Sequence, residues 1–149
     1  MKNLFLSLVL VMVGLVANSQ VFVVKTDTTQ YFSHPKSVKF VESVEKNLIT
    51  YKNLYKTVVY FTIDLNKNTL DLVNSSGDKS SFTISEVFKS SESDVIVSFE
   101  FQDDVGNKAV LVVYKTEEGS TNLLVEGSDN DTTTSGYMCF NVNCKNKRK

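Results

Sequence analysis

Histidine, proline and tryptophan are nearly missing from this chain, whose 149 residues include one histidine, one proline and no tryptophan. A Ser-His-Asp arrangement would have to use His34, and no Gly-x-Ser-x-Gly segment is present to hold a serine nucleophile. His34 precedes Pro35 in a polar stretch and is interpreted as an exposed loop residue. The sequence therefore assigns no catalytic residue and predicts that the protein is not an enzyme.

Cysteine is also scarce, since Cys139 and Cys144 are the only two. A closed zinc site needs four ligands, and His34 lies far upstream of this pair, so neither a metal site nor a cofactor is predicted. Two thiols in an oxidising compartment, with no third thiol to compete, predict a disulfide between Cys139 and Cys144. A bridge across so short a loop would stabilise the fold by only about 2 kcal/mol and would hold the C-terminal segment as a hairpin.

One long apolar run occurs, from Leu4 to Val16, and it is shorter than the roughly 20 residues of a bilayer-spanning helix. A lysine precedes the run, and a small-x-small cleavage pattern ends at Ser19. Residues 1–19 are therefore predicted to be a signal peptide cleaved between Ser19 and Gln20, in preference to a membrane anchor. The mature protein is expected to be secreted or periplasmic, with no membrane span.

Charge of one sign is not in excess, because the full chain has a formal net charge of −1 at pH 7. This balance does not indicate nucleic acid or an anionic surface as a partner. The segment after the predicted cleavage site, 20–149, has about 130 residues, which fits a single domain able to bury a core. Its short basic C-terminal tail, with Lys145, Lys147, Arg148 and Lys149, is interpreted as solubilising.

From residue 55 onward, β-rich runs alternate with turn residues, which is typical of successive antiparallel hairpins. Lys56–Leu65 and Val95–Phe101 alternate apolar residues on one face with mainly polar residues on the other, as a half-buried strand requires. Lys108–Lys115 is apolar on both faces, so we expect a central strand that is covered on two sides.

One strand has an uncertain register. Phe82, Ile84 and Phe88 would share its inner face, and Glu86 interrupts the pattern. A bulge near Glu86 would instead turn Val87 inward. The sequence leaves both registers open.

The segment 37–48 is expected to form one short helix, because its apolar residues recur at helical spacing and Glu42 with Lys46 forms a favourable i,i+4 pair. A strand is the alternative, since several of these residues are β-branched valines. Together with about seven to nine strands, the fold class is predicted to be mainly β, an antiparallel up-and-down meander that forms a partly closed barrel or a two-layer sandwich.

Carboxylates are plentiful, and Asp64 with Asp71, or Asp103 with Glu117, could meet across hairpins as catalytic pairs do. At strand ends and turns such residues more often end strands and discourage edge pairing, which is the interpretation favoured here. The acidic loop at 129–131 departs from the EF-hand pattern, so no calcium site is assigned to it.

The favoured function is a non-catalytic binding module for a small apolar ligand, held by the inward-facing aromatic residues of a curled sheet, or for an envelope or extracellular partner. The alternative is a structural or inhibitory domain that binds another protein through its edge strands and its C-terminal hairpin. An unfamiliar carboxylate-dependent enzyme is the least favoured possibility. The sequence leaves open the identity of the ligand or partner and the oligomeric state. The inward-facing aromatic residues that are expected to hold the apolar ligand include Phe61, Phe82, Phe88, Phe99 and Phe101.

Overall fold

The computed structural model of the chain describes residues 20–128 and 132–148. The predicted signal peptide, 1–19, including Ser19 at the cleavage site, and the acidic loop at 129–131 lie outside these ranges. The described part begins with a strand at Gln20, and its helix is not long and apolar enough to cross a membrane.

The described residues form eleven strands in one antiparallel sheet and one short helix. The elements are β1 (Gln20–Thr26), β2 (Thr29–Pro35), α1 (Phe40–Glu45), β3 (Thr50–Tyr55), β4 (Val59–Asp64), β5 (Thr69–Asn74), β6 (Lys79–Val87), β7 (Val95–Gln102), β8 (Lys108–Lys115), β9 (Thr121–Ser128), β10 (Thr133–Cys139) and β11 (Asn143–Arg148). The predicted mainly-β class and the short helix within 37–48 are both confirmed.

Strands β4 to β9 pair in chain order, which confirms the predicted meander. The complete order is β11-β1-β4-β5-β6-β7-β8-β9-β10-β2-β3, so β11 and β3 are the two edges and the ladder is not closed between them. The strand number exceeds the expectation because the first and last parts of the described chain each divide into two strands, and because β3 is an additional edge strand.

The first and last parts of the described chain form one interrupted two-stranded ribbon. Val24 pairs with Cys144 in the β1–β11 half, and Thr29 pairs with Cys139 in the β2–β10 half. Equal numbers of residues separate these pairs on the two strands, and the Phe140 amide donates a hydrogen bond to the Thr28 carbonyl (3.3 Å), so the register is kept across the interruption. Because β1 also pairs with β4, and β10 with β9, the ribbon joins both ends of the meander and makes the sheet curl.

The core lies on the inner face of this curled sheet and forms one cluster. Phe99 is fully buried, and Phe101 lies beside it with ring centroids 6.1 Å apart, so the predicted inner face of β7 is confirmed. The other buried members of the cluster are Phe22, Val24, Phe61, Ile63, Leu70, Ile84, Val97, Leu111, Val113, Leu123, Val125, Cys139 and Val142.

Helix α1 packs on the outer face of β2, but not through the face that its valines predict. The Phe40 ring lies 5.0 Å from the Phe32 ring, and Ser43 is fully buried. In contrast, Val41 is 66% exposed and Val44 is 45% exposed. The predicted Glu42–Lys46 ion pair is present at 2.6 Å. The helix itself is therefore confirmed and the strand alternative is wrong, while the apolar spacing does not mark the buried side.

Gly136, on the neighbouring strand β10, leaves room for the Phe32 ring on the outer face. It pairs with Phe32 across the β2–β10 ladder, and a Cβ atom there would lie 2.0 Å from the Val125 carbonyl oxygen and 3.0 Å from the Phe32 ring. Only glycine leaves room for the aromatic ring against β10.

The predicted Cys139–Cys144 disulfide is not present, because both cysteines are free thiols. The expected C-terminal hairpin is also wrong. Asn141 does adopt a positive φ of 51°, but the chain continues into the second half of the ribbon instead of folding back on β10. The Cys139 sulfur lies 3.4 Å from the Thr29 hydroxyl oxygen, and Cys144 packs against the core from β11.

Replacing Phe99 by alanine should reduce the free energy of unfolding by about 3–5 kcal/mol, because it removes a fully buried ring from the middle of the core. Ser98→Ala on the opposite face of the same strand is the control and should have a much smaller effect. Urea unfolding followed by circular dichroism measures both. Equal losses at the two positions would show that the register of β7 is different.

The two thiols should differ in reactivity. Burial raises the pKa of both cysteines, and Cys139 is only 1% exposed whereas Cys144 is half-buried. Titration of the native protein with Ellman's reagent should therefore show a faster phase that Cys144→Ser removes and a slower phase that Cys139→Ser removes. Failure to detect any thiol in denaturant without reductant would contradict this and indicate a bridge.

Candidate functional site

A groove of about 870 Å³ lies on the outer face of the sheet, opposite the core. Its walls and floor come from β7 to β10, from the chain just after β6 and from the residue before α1. The lining residues are Lys39, Phe88, Glu100, Lys108, Ala109, Val110, Val112, Leu124, Glu126, Gly127 and Thr134.

The floor of the groove is apolar. Val110 and Val112 of β8 alternate with the buried core residues of that strand, and Leu124 of β9 lies directly opposite Val112. The prediction that β8 is central is confirmed, because it lies between β7 and β9. The expected cover on its second side is not an element of the described chain, since α1 packs on β2, and the outer side of β8 forms the groove instead.

A β-bulge places Phe88 at one end of this floor. Ile84 pairs with Phe101 and Val87 with Phe99, with a register shift between Ile84 and Glu86. The Phe88 amide then donates a hydrogen bond to the Ser98 carbonyl (2.8 Å), so Phe88 continues the ladder after Val87. The bulge alternative is therefore confirmed, and Phe88 lies on the outer face instead of the inner one.

Two glutamates line the groove on either side of Val110. In the β7–β8–β9 ladder, Glu100 pairs with Val110, and Val110 pairs with Glu126. Glu100 lies 3.5 Å from the Lys108 ammonium and accepts a hydrogen bond from the Ser85 hydroxyl (2.8 Å). The charge of Glu100 is therefore compensated by neighbours on its own sheet.

Glu126 has a different partner, the histidine that the sequence places in an exposed loop. That interpretation is wrong, because His34 lies within β2 and is only 4% exposed. Its ring packs beside the contacting rings of Phe32 and Phe40, with centroid distances of 6.0 and 6.2 Å. The His34 Nε2 atom lies 3.5 Å from Glu126 Oε2.

The hydrogen bond of His34 determines which of its ring nitrogens faces Glu126 as an acceptor in the neutral ring. His34 Nδ1 lies 3.0 Å from the Pro35 carbonyl oxygen, and because a carbonyl can only accept, Nδ1 must carry a hydrogen. In a neutral ring Nε2 would then present a lone pair to the Glu126 carboxylate. At 3.5 Å from Glu126 Oε2, Nε2 forms no hydrogen bond, so it is a buried polar atom without a hydrogen-bond partner among the described residues. Burial raises the pKa of Glu126, and the nearby His34 partly opposes that rise.

Lys39 is the remaining charged residue of the groove. It is exposed and directly precedes α1. Within the described ranges, its ammonium forms no salt bridge, whereas Lys108 and both glutamates each have an ionisable partner. Lys39 is therefore the charged residue of the groove that has no ionisable partner in the described ranges.

A second cleft, of about 550 Å³, lies where the two ends of the sheet approach each other. Tyr31 and Tyr55 line it with their rings 5.4 Å apart, and Tyr137 lies 5.6 Å from Tyr31. Its other lining residues are Thr29, Lys52, Asn53, Thr57, Val59 and Asn74. This cleft is smaller than the groove and has a more polar lining.

The carboxylate pairs considered from the sequence do not form sites. Asp64 accepts hydrogen bonds from amides of the β4–β5 turn, and Asp71 accepts one from the Ser81 hydroxyl (2.7 Å). Asp103 and Glu117 lie at opposite ends of β8, roughly 25 Å apart. Among the described residues, no three His, Cys, Asp or Glu side chains are grouped as metal ligands.

The stability of the protein should depend on pH through Glu126. Because its folded pKa is raised, the folded state binds more protons than the unfolded state over the range between the two values. The stabilisation that Glu126 gives is complete below its pKa in the unfolded state. It is lost as pH rises through its pKa in the folded state. The free energy of unfolding of wild type relative to Glu126→Gln should therefore fall with increasing pH in urea melts, with Glu118→Gln as the substitution control. A difference that grows with pH would contradict this.

No family model, curated protein or solved structure matches this chain. Inference of its function therefore rests on the groove and on the exposed surfaces of the sheet.

Proposed function

We propose that this protein is an exported, non-catalytic binding module that holds a mainly apolar ligand in the outer groove. The observation that carries the proposal is the open apolar floor made by Val110, Val112 and Leu124 on the central strands of the sheet. The outer face of an antiparallel sheet is commonly polar where it meets water. A contiguous apolar surface there marks a binding site whose partner covers it. A ligand in the groove would provide this cover.

The place of the ligand differs from the one that the sequence suggests. Phe61, Phe99 and Phe101, which would line the wall of an internal cavity, are all buried in the core cluster. The outer groove, in contrast, is open to solvent and large enough for a small molecule. This supports binding on the outside of the sheet.

The shape of the floor favours an elongated ligand. Phe88, Val112 and Leu124 form a row across the strands, because Phe88 bonds to Ser98 and Ser98 pairs with Val112. With strands spaced about 4.8 Å apart, this row is roughly 14 Å long. A hydrocarbon chain lying across the strands would contact all three side chains.

The polar groups of the groove favour binding over catalysis. Glu100 is held by Lys108 and Ser85, and Glu126 by His34. A catalytic nucleophile or base would need a free reactive atom with an activating neighbour, and these carboxylates instead bond to groups of the sheet itself. We therefore assign them to the walls of a binding site.

A neutral fluorescent apolar probe, N-phenylnaphthylamine, should bind to the wild-type protein with increased emission. Leu124→Asp places a charge in the floor and should weaken binding roughly tenfold or more. Val112→Thr, which nearly conserves volume, should weaken it by a smaller factor. Fluorescence titration measures all three dissociation constants.

The matched control is Val23→Asp, which places the same charge on the outer face of β1, away from the groove. This variant should bind the probe like wild type. Circular dichroism and urea melts verify that each variant is folded. Equal loss of binding in Val23→Asp and Leu124→Asp, or unchanged binding in Leu124→Asp, would overturn the assignment of the groove.

A second candidate function is a structural or inhibitory domain that binds another protein at the β3 edge. Every residue of β3 is exposed, and among the described strands only β2 pairs with it. Tyr51 is 56% exposed and Leu54 is 53% exposed, and the preceding helix exposes Val41 and Val44. An unpaired strand beside exposed apolar side chains is the arrangement that β-augmentation uses.

Site-specific photo-crosslinking in the producing organism tests this second function. A benzoylphenylalanine in place of Tyr51 should give a discrete adduct with another protein. The same substitution at Tyr60, which is 41% exposed but lies on the internal strand β4, is the control. The absence of an adduct at Tyr51, or the same adduct at both positions, would contradict binding at the β3 edge.

A further inference from the structure

The charged residues of the groove lie to one side of the apolar row. Glu126 is two residues along β9 from Leu124, and Thr134 of β10 pairs with Ser128, a further two residues along. Lys39 lines the groove together with these residues. A ligand that covers the row and also contacts this side must therefore combine an apolar part with a polar group at one end.

The sign of that polar group follows from the partners of the charged residues. Glu100 and Lys108 neutralise each other at 3.5 Å. Glu126 has the His34 ring as its ionisable neighbour, with 3.5 Å between Oε2 and Nε2. Lys39 then supplies a positive charge that no described carboxylate compensates.

We propose that the ligand is a long-chain alkyl carboxylate, with its chain on the apolar floor at Val112 and Leu124 and its carboxylate on the side of the floor that Lys39 lines. This inference rests on the proposed function of the groove and adds the chemical class of the ligand. The apolar row supplies most of the affinity, since burial of apolar area is worth about 25 cal/mol per Å². Lys39 supplies the preference for an anionic group and for one orientation of the chain.

An exposed lysine contributes modestly to affinity, because an ion pair in solvent is worth at most about 1 kcal/mol. The preference for an anionic over an uncharged head group of equal chain length should therefore be roughly fivefold at low ionic strength. Salt should reduce this preference, because exposed charges are screened.

Displacement of N-phenylnaphthylamine tests the proposal with dodecanoate, dodecanol and dodecyltrimethylammonium, each below its micelle concentration. Dodecanoate should displace the probe at the lowest concentration, and dodecyltrimethylammonium at the highest. Acetate, which carries the head group alone, should displace none, because the apolar row gives the affinity.

Lys39→Gln should remove the preference for dodecanoate while leaving the affinity for dodecanol unchanged, and Lys39→Glu should reverse it in favour of dodecyltrimethylammonium. Lys67→Glu is the matched control, because it makes the same change in net charge in the exposed β4–β5 turn. This control should keep the wild-type order.

The outcomes distinguish the two levels of inference. If dodecanoate, dodecanol and dodecyltrimethylammonium bind equally, the carboxylate ligand is overturned while the apolar groove stands. The same holds if Lys39→Gln keeps the preference for dodecanoate. If dodecyltrimethylammonium binds best to wild type, Glu126 is the group that selects the ligand and the proposal is wrong. If neither the fluorescent probe nor any alkyl compound binds, both the ligand class and the proposed function fail.

Discussion

The pairing of the first described strands with the last is the constraint on which the rest of the structure depends. Residues 20–35 and 133–148 share one register across an interruption, and each half of this ribbon attaches to a different end of the meander. Without it, the hairpins of β4 to β9 would be an open sheet with an exposed apolar face. These contacts join residues 98 to 128 positions apart, so loop-closure entropy opposes them until the core residues between them pack.

The outer face depends on this ribbon as directly as the core does. Because β2 lies beside β10, His34 reaches Glu126 of β9, and α1 can cover Phe32. The absence of a side chain at Gly136 leaves room for that ring. The groove therefore begins where the cover provided by α1 ends.

Local irregularities decide which side chains face the groove. The shift between Ile84 and Glu86 moves Phe88 to the outer face, and it is the reason why an aromatic ring borders an otherwise aliphatic floor. Bulges redirect side chains in this way without ending a sheet. The exposed valines of α1 and the residues of the edge strand β3 do not line the groove, so the protein has two surfaces for which a partner can be tested.

The sequence by itself determined the mainly-β meander, the inner face of β7 and the short helix, because alternation and i,i+4 spacing are local patterns that each segment carries alone. Only the tertiary structure decided that the apolar outer side of Val110 and Val112 is an open groove, that His34 is buried against Glu126, and that Val41 and Val44 face solvent. It also separated Cys139 and Cys144 into two halves of one ribbon instead of a bridged hairpin. Each of these depends on which distant strand lies alongside, and that is set by the joint packing of the whole core and not by the residues next to them in the chain.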